Sequence, residues 1–206
     1  MARQIVPLTR DTIGELPPRC RNCVFWELDP VAGDRAYAHG DPAHEKETWL
    51  SATLLGWGSC GRMILVDGET AAYAIFAPPQ HVPRSASFAT SPVAQDAVLL
   101  STLCVLPAYR GAGLGRLLVQ TVAKDLLQRD IHAMEAFGAL LPDRAHCLIP
   151  ADFLLAVGFK TVRPHARHPR LRLDLRSTVT WREDVEGALE RLLGVITSPE
   201  GALRPV

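Results

Sequence analysis

Apolar and polar positions follow two periods along this chain, and each change of period marks an element. From Val98 to Val105 the run is apolar and strand-like, and Pro107 stops it. Three glycines follow, Gly111, Gly113 and Gly115, and then Leu114, Leu117, Leu118, Val122 and Leu126 recur three or four apart. That is one face of a helix, so the stretch reads as strand, glycine turn, helix. Upstream, Ile5 to Leu8 predicts a short strand, and Thr9 to Leu16 a short helix or turn ended by Pro17-Pro18. Val24 to Leu28 suits a strand or a buried loop, and Asp29 to Gly40, rich in Pro, Gly and Asp, a loop.

Asp41-Pro42 is a helix start, with a capping carboxylate and a proline at the first helical position. The helix is expected over Pro42 to Leu55, ended by Gly56, Gly58 and Gly61. Arg62 to Val66 and Thr70 to Phe76 flank Asp67-Gly68, which predicts a hairpin with a tight type I′ turn. Gln80 to Gln95 is polar and reads as an irregular loop. After the central helix, Ile131 to Phe137 predicts a strand, Gly138 to Leu148 a loop, Pro150 to Val157 a short helix and Lys160 to Arg163 a strand. Leu171, Leu173 and Leu175 alternate with charged residues, a strand with one apolar and one charged face. Thr180 and Glu183 form a capping box for a terminal helix.

Length and charge narrow the picture. The 206 residues suit one domain with an extension. Lys and Arg number 22, as do Asp and Glu, which gives no general pull toward nucleic acid or membrane. No apolar run approaches the ~18 residues of a membrane span. The start MARQIVPLTRD has no long apolar centre, and five unevenly placed cysteines do not make a secreted disulfide framework. A cytoplasmic protein is expected.

The glycine turn carries the chemistry. The first N–H groups of a helix lack internal partners and bear partial positive charge, so they bind anions. Glycine reaches positive φ cheaply and lets an anion approach the main chain, and Arg110 adds a fixed charge. The segment therefore predicts a cradle for a pyrophosphate. A nucleoside-triphosphate loop is ruled out because no Gly-Lys-Ser/Thr follows, and the dinucleotide fingerprint fails because Arg116 stands where its third glycine belongs. Arg-x-x-Gly-x-Gly fits, as Arg110, Gly113 and Gly115. Preceded by a strand ending Leu-x-Val-x-Pro-x-Tyr-Arg, Leu103 to Arg110, it resembles motif A of the GNAT superfamily of acetyl-CoA-dependent N-acyltransferases. Gly158-Phe159 between helix and strand looks like the family's motif B, and the order of elements is similar to its fold over about Ile5 to Leu175.

The resemblance implies an α/β (α+β) fold: a mixed, mostly antiparallel central sheet flanked by helices on both faces. It implies a GNAT-like acetyltransferase domain over 1–176; the helix after Thr180 lies outside the family's core, and 177–206 is expected to be a C-terminal helical extension that braces the sheet or forms a dimer contact. It implies acetyl-CoA as cosubstrate and transfer of its acetyl group to a primary amine. The diphosphate would lie on Arg110, Gly111, Ala112, Gly113, Leu114, Gly115 and Arg116, and the pantetheine along Leu103, Cys104 and Val105, where this strand splays from Ile131 to Phe137. The loops Asp29 to Gly40 and Gln80 to Gln95 would shape the acceptor pocket.

An amine must lose a proton before attack. Glu135, a carboxylate in an apolar strand beside the gap, is either that base or the partner of an arginine or backbone N–H. Asp96 is either a base or a solvated residue at a strand start; His81 and His146 lie in loops. The family's usual acid, a Tyr four residues before the motif B glycine, is Leu154 here, and no Tyr follows Tyr109. His146 and Cys147 are substitutes, or the thiolate leaves unaided. That departure gives weight to an alternative: a weak or inactive acyl-CoA-binding sensor or interaction module.

Cys20-x-x-Cys23 has the spacing of half a zinc site, with Cys60, His146 and Cys147 as completing ligands, or of a redox couple. With one pair only, free thiols and no metal are expected. Cys104 reads as packing. The basic segment Lys160 to Arg176 reads as a solvated strand face, since no nucleic-acid motif accompanies it. A monomer or a homodimer is expected.

Overall fold

The computed structural model describes residues 2–141 and 148–175. The capping box at Thr180 and Glu183, the extension over 177–206, and His146 and Cys147 lie outside the described residues. Within them the strands are β1 (Arg3–Pro7), β2 (Gly61–Val66), β3 (Glu69–Ala77), β4 (Ala97–Val105), β5 (Ala133–Ala139), β6 (Ile149–Pro150), β7 (Lys160–Arg163) and β8 (Arg170–Asp174). The helices are α1 (Pro18–Arg21), α2 (Pro30–His39), α3 (Pro42–Gly56), α4 (Leu114–Gln128) and α5 (Ala151–Ala156). The strands form one sheet in the order β1-β2-β3-β4-β5-β8-β7, with β6 beside β5. β4–β5 and β5–β6 are parallel and the other pairs antiparallel, a mixed and mostly antiparallel sheet.

Each face of the sheet buries its own core. On one, Leu114, Leu117, Leu118, Val122 and Leu126 of α4 pack on Ile64, Ala72, Phe76, Leu100 and Met134, joined by Leu154 of α5. On the other, Leu50 of α3 and Trp26 pack with Leu8, Met63, Tyr73, Ile75, Leu99 and Phe137. Burying one such leucine contributes about 1.5–3 kcal/mol, so α4 is held by its apolar stripe, whereas α3 buries Leu50 between Lys46 and Thr53. No helix among the described residues is long and apolar enough to cross a membrane.

The β2–β3 hairpin turns at Asp67 and Gly68, with φ of 51° and 88°, as the Asp-Gly pair predicts. The loop expected over Asp29 to Gly40 is instead α2. The Asp29 side chain accepts hydrogen bonds from the N–H groups of Val31 (2.9 Å) and Ala32 (3.0 Å), and Pro30 opens the helix. Asp29-Pro30 is thus the same start signal as Asp41-Pro42, and a proline at the first helical position breaks nothing.

The Gln80 to Gln95 segment has two 3₁₀ turns, Pro79–His81 and Pro83–Ser87, and is tied down along its length. Trp49 Nε1 donates to the His81 carbonyl (2.6 Å), and Thr90 Oγ1 to the His168 carbonyl (3.0 Å). Phe88 stacks against both Trp26 (5.3 Å) and Phe137 (4.3 Å).

Candidate active site

The parallel ladder between β4 and β5 is short. It pairs Ala97 with Ala133, Val98 with Met134 and Leu99 with Glu135, and ends there. β4 runs on to Val105 and β5 to Ala139, where β5 takes β6 as neighbour. On its other side β4 stays paired to β3 through Leu103, Cys104 and Val105. The two central strands part just past Glu135, and the far half of β4 leads from that fork to the glycine turn.

After β4 the chain makes one 3₁₀ turn, Pro107–Tyr109, and reaches Arg110. Gly111 and Gly113 take φ of 80° and 78°, left-handed values that a side chain would strain. Gly113 is the N-cap of α4 and brings no capping side chain. Gly111, Ala112 and Gly113 are exposed, while Leu114 and Gly115 are buried. The entrance of α4 thus presents bare main chain outward and anchors itself inward. Arg110 is exposed, and its Nε donates to the Val105 carbonyl at 3.4 Å. Arg116 reaches the other way: its Nη2 donates to the Ala156 carbonyl (3.0 Å) and clasps α4 to the end of α5.

The two candidate carboxylates meet at the fork through one arginine. Arg172 grips Asp96 with both terminal nitrogens (2.9 and 2.7 Å), donates from Nε to Asp174 (2.6 Å) and lies 3.5 Å from Glu135 Oε1. Glu135 also accepts from Arg170 Nη1 (2.5 Å) and from the Ala94 N–H (3.2 Å). Its side chain is 2% exposed, against 63% for Asp96. The hydrogen bonds from Arg172 hold the Asp96 carboxyl below the usual range, and Asp96 in turn raises Arg172. The charged face of β8 is therefore this knot of ion pairs, with Leu171 and Leu173 on the core side. The exposed face lies on β7.

Leu154, at the position of the expected phenol, is fully buried in the α4 core.

A second polar group escaped the sequence reading. Lys46 of α3 and Glu27 form an ion pair whose side chains are 5% and 2% exposed. Lys46 Nζ also donates to the Cys23 carbonyl (2.6 Å), and Glu27 Oε2 accepts from the Trp26 N–H (3.2 Å). The pair lines a cavity of about 10 Å³ with Cys20, Cys23, Trp26, Tyr73, Ile75 and Thr102 of β4, room for a single water. A charge inside the aromatic run Val24 to Leu28 was the available signal. Among the described residues no group of three His, Cys, Asp or Glu could hold a metal ion, and Cys60 is buried in the core.

The model of the Acetyltransferase (GNAT) family matches residues 25–146. Solved structures share the fold at low identity. The structure of yncA from Salmonella typhimurium with its cofactor acetyl-CoA superposes with TM-score 0.58 at 16% identity, over 87% of this chain and 97% of that one. The PaiA N-acetyltransferase of Thermoplasma acidophilum, in complex with coenzyme A, gives TM-score 0.57 at 11% identity, over 84% and 99%. An N-acetyltransferase from Staphylococcus aureus Mu50 gives 0.56 at 12%, over 85% and 100%. No curated protein matches the sequence.

Proposed function

Because the chain belongs to the GNAT family of acetyltransferases, we propose that it transfers the acetyl group of acetyl-CoA to a primary amine by direct attack of the amine on the thioester. One observation carries this reading: an exposed, uncapped helix entrance stands at the end of a strand that has just parted from its parallel neighbour. Bare N–H groups at a helix start favour a diphosphate. The main chain from Gly111 to Arg116 would hold it, Arg110 would add charge, and Leu103, Cys104 and Val105 would take the pantetheine as an added strand. Backbone donors beside the fork would face the thioester carbonyl as negative charge develops on it.

In this reading Glu135 and Asp96 are positioning groups. Their oxygens are engaged by Arg170, Arg172 and the Ala94 N–H, which fixes β4, β5 and β8 at the fork. The amine arrives already deprotonated or loses its proton to water.

The buried Leu154 favours a second reading, an acyl-CoA sensor without turnover. Calorimetry with coenzyme A and thiol release across a panel of amines separate the two. Binding with amine-dependent release supports the transferase, and binding without release supports the sensor. If coenzyme A gives no heat, or if Gly113→Val leaves its uptake unchanged, both readings fail.

A further inference from the structure

The buried pair of Glu27 and Lys46 stands beside the fork, on the α3 side of the sheet. Thr102 of β4 lines the same cavity as the pair. It lies between Leu99, where the β4–β5 ladder ends, and Leu103, where the stretch assigned to the pantetheine begins. Its partner across the β3–β4 ladder is Ile75, which packs in the core on the α3 side, so Thr102 faces that side as well.

The polar groups around this cavity have bonding capacity to spare. Trp26 Nε1 is buried and has no hydrogen-bond partner among the described residues. Glu27 Oε1 is bonded to Lys46 Nζ and Oε2 to the Trp26 N–H (3.2 Å), one donor for each oxygen. A carboxylate oxygen has two lone pairs, so each can take a second donor. Glu135 is the contrast: Arg170 and the Ala94 N–H both bond its Oε2, and Arg172 lies 3.5 Å from its Oε1. The cavity, about 10 Å³, suits one water, and a buried water needs two to four polar partners. The Trp26 N–H and the Glu27 carboxylate supply a donor and an acceptor.

We propose that, given the transferase reading above, Glu27 takes up, through a water in this cavity, the proton that the acceptor amine sheds before attack. The ammonium gives a proton to the water, and the water passes one of its own to Glu27. The freed amine attacks the thioester carbon. As the C–S bond breaks, a second proton leaves the nitrogen for the departing sulfur, and Glu27 returns its own proton to solvent by the same water. Lys46 serves from behind. It fixes Oε1, and as a like charge it disfavours an ammonium nearby. Its bond to the Cys23 carbonyl (2.6 Å) holds Nζ in place.

The test follows thiol release from acetyl-CoA by the full-length chain, with an alanine-led peptide, Nα-acetyl-lysine and spermidine as acceptors, beside urea denaturation and coenzyme A calorimetry. The double variant Glu27→Leu with Lys46→Met removes the proton acceptor without stranding a charge. Its stability and coenzyme affinity should stay near wild type, while kcat falls about a hundredfold and KM for acetyl-CoA holds. A merely structural pair predicts that turnover returns together with stability, and that result overturns the proposal. Thr102→Val leaves the ion pair intact and makes the β4 wall of the cavity apolar. It should lower kcat about tenfold, the effect of one lost hydrogen bond, at an unchanged urea midpoint. An unchanged kcat overturns the proposal whether or not the double variant folds. If wild type releases thiol with none of the three amines, the transferase reading fails first and this inference with it; a wild type that turns over beside fully active variants sinks this inference alone.

Discussion

Gly115 and Phe153 touch where α4 begins: a methyl group on the glycine would lie 3.0 Å from two carbons of the phenylalanine ring. The bare Cα of Gly115 leaves room for the Phe153 ring of α5 against the first turn of α4, and an added methyl would push the ring or the turn aside. Gly115→Ala should therefore cost about 1–3 kcal/mol, the usual range for overpacking, and weaken coenzyme A binding by tilting the entrance. Urea denaturation and calorimetry read the two effects. Phe153→Leu in the same chain makes room and should restore most of both; if Gly115→Ala is silent, the contact does not set the helix.

The buried pair of Glu27 and Lys46 predicts a strong non-additivity. Removing one partner leaves an uncompensated charge inside the core, which costs about 3–5 kcal/mol. Replacing both by apolar residues removes the stranded charge as well as the pair. Glu27→Leu and Lys46→Met should each be strongly destabilising in urea, while the double variant recovers most of the loss. Additive losses would mean that the pair is solvated in solution.

Local chemistry was legible, and distant pairing was not. The Asp67-Gly68 hairpin and the stripe of α4 could be read because their signals lie within one turn or one helix. Gly113 was legible for the same reason. Glu135 could be singled out as a carboxylate in an apolar strand, but Arg170 lies 35 residues further on, and only the β5–β8 register brings the two together. The Lys46–Glu27 pair is of the same kind: topology makes it, not spacing. The error at α2 differs, since Asp29-Pro30 carried its signal and a proline was read as a break.

Asp96 and Arg172 predict an acid-side dependence. The folded carboxyl titrates below its unfolded value of about 3.9. Its contribution is therefore complete above that value and is lost as pH falls through the folded one. The stability gap between wild type and Asp96→Asn should be present from about pH 5 upward and close below about pH 4. The pair is exposed, so added salt should shrink the gap. A gap that widens on acidification would contradict the assignment.

Arg110 and Arg116 flank the same glycines yet should behave oppositely when truncated. Arg110 is exposed at the entrance of α4, and its one weak internal bond, 3.4 Å to the Val105 carbonyl, is easily exchanged for a phosphate oxygen. Arg110→Ala should weaken coenzyme A binding about tenfold, or ~1.4 kcal/mol, with little change in stability. The loss should diminish as salt screens the exposed charge. Arg116 spends its guanidinium on the Ala156 carbonyl at 3.0 Å, a charge-assisted bond joining two helices. The bond is exposed, so Arg116→Ala should lower stability by about 0.5–1.5 kcal/mol and affect affinity only through loosening of the helix start. Measuring both variants by calorimetry and urea denaturation distinguishes an arginine that meets the ligand from one that holds the frame. If Arg116→Ala loses more affinity than Arg110→Ala at unchanged stability, their roles are exchanged and the cradle opens toward α5.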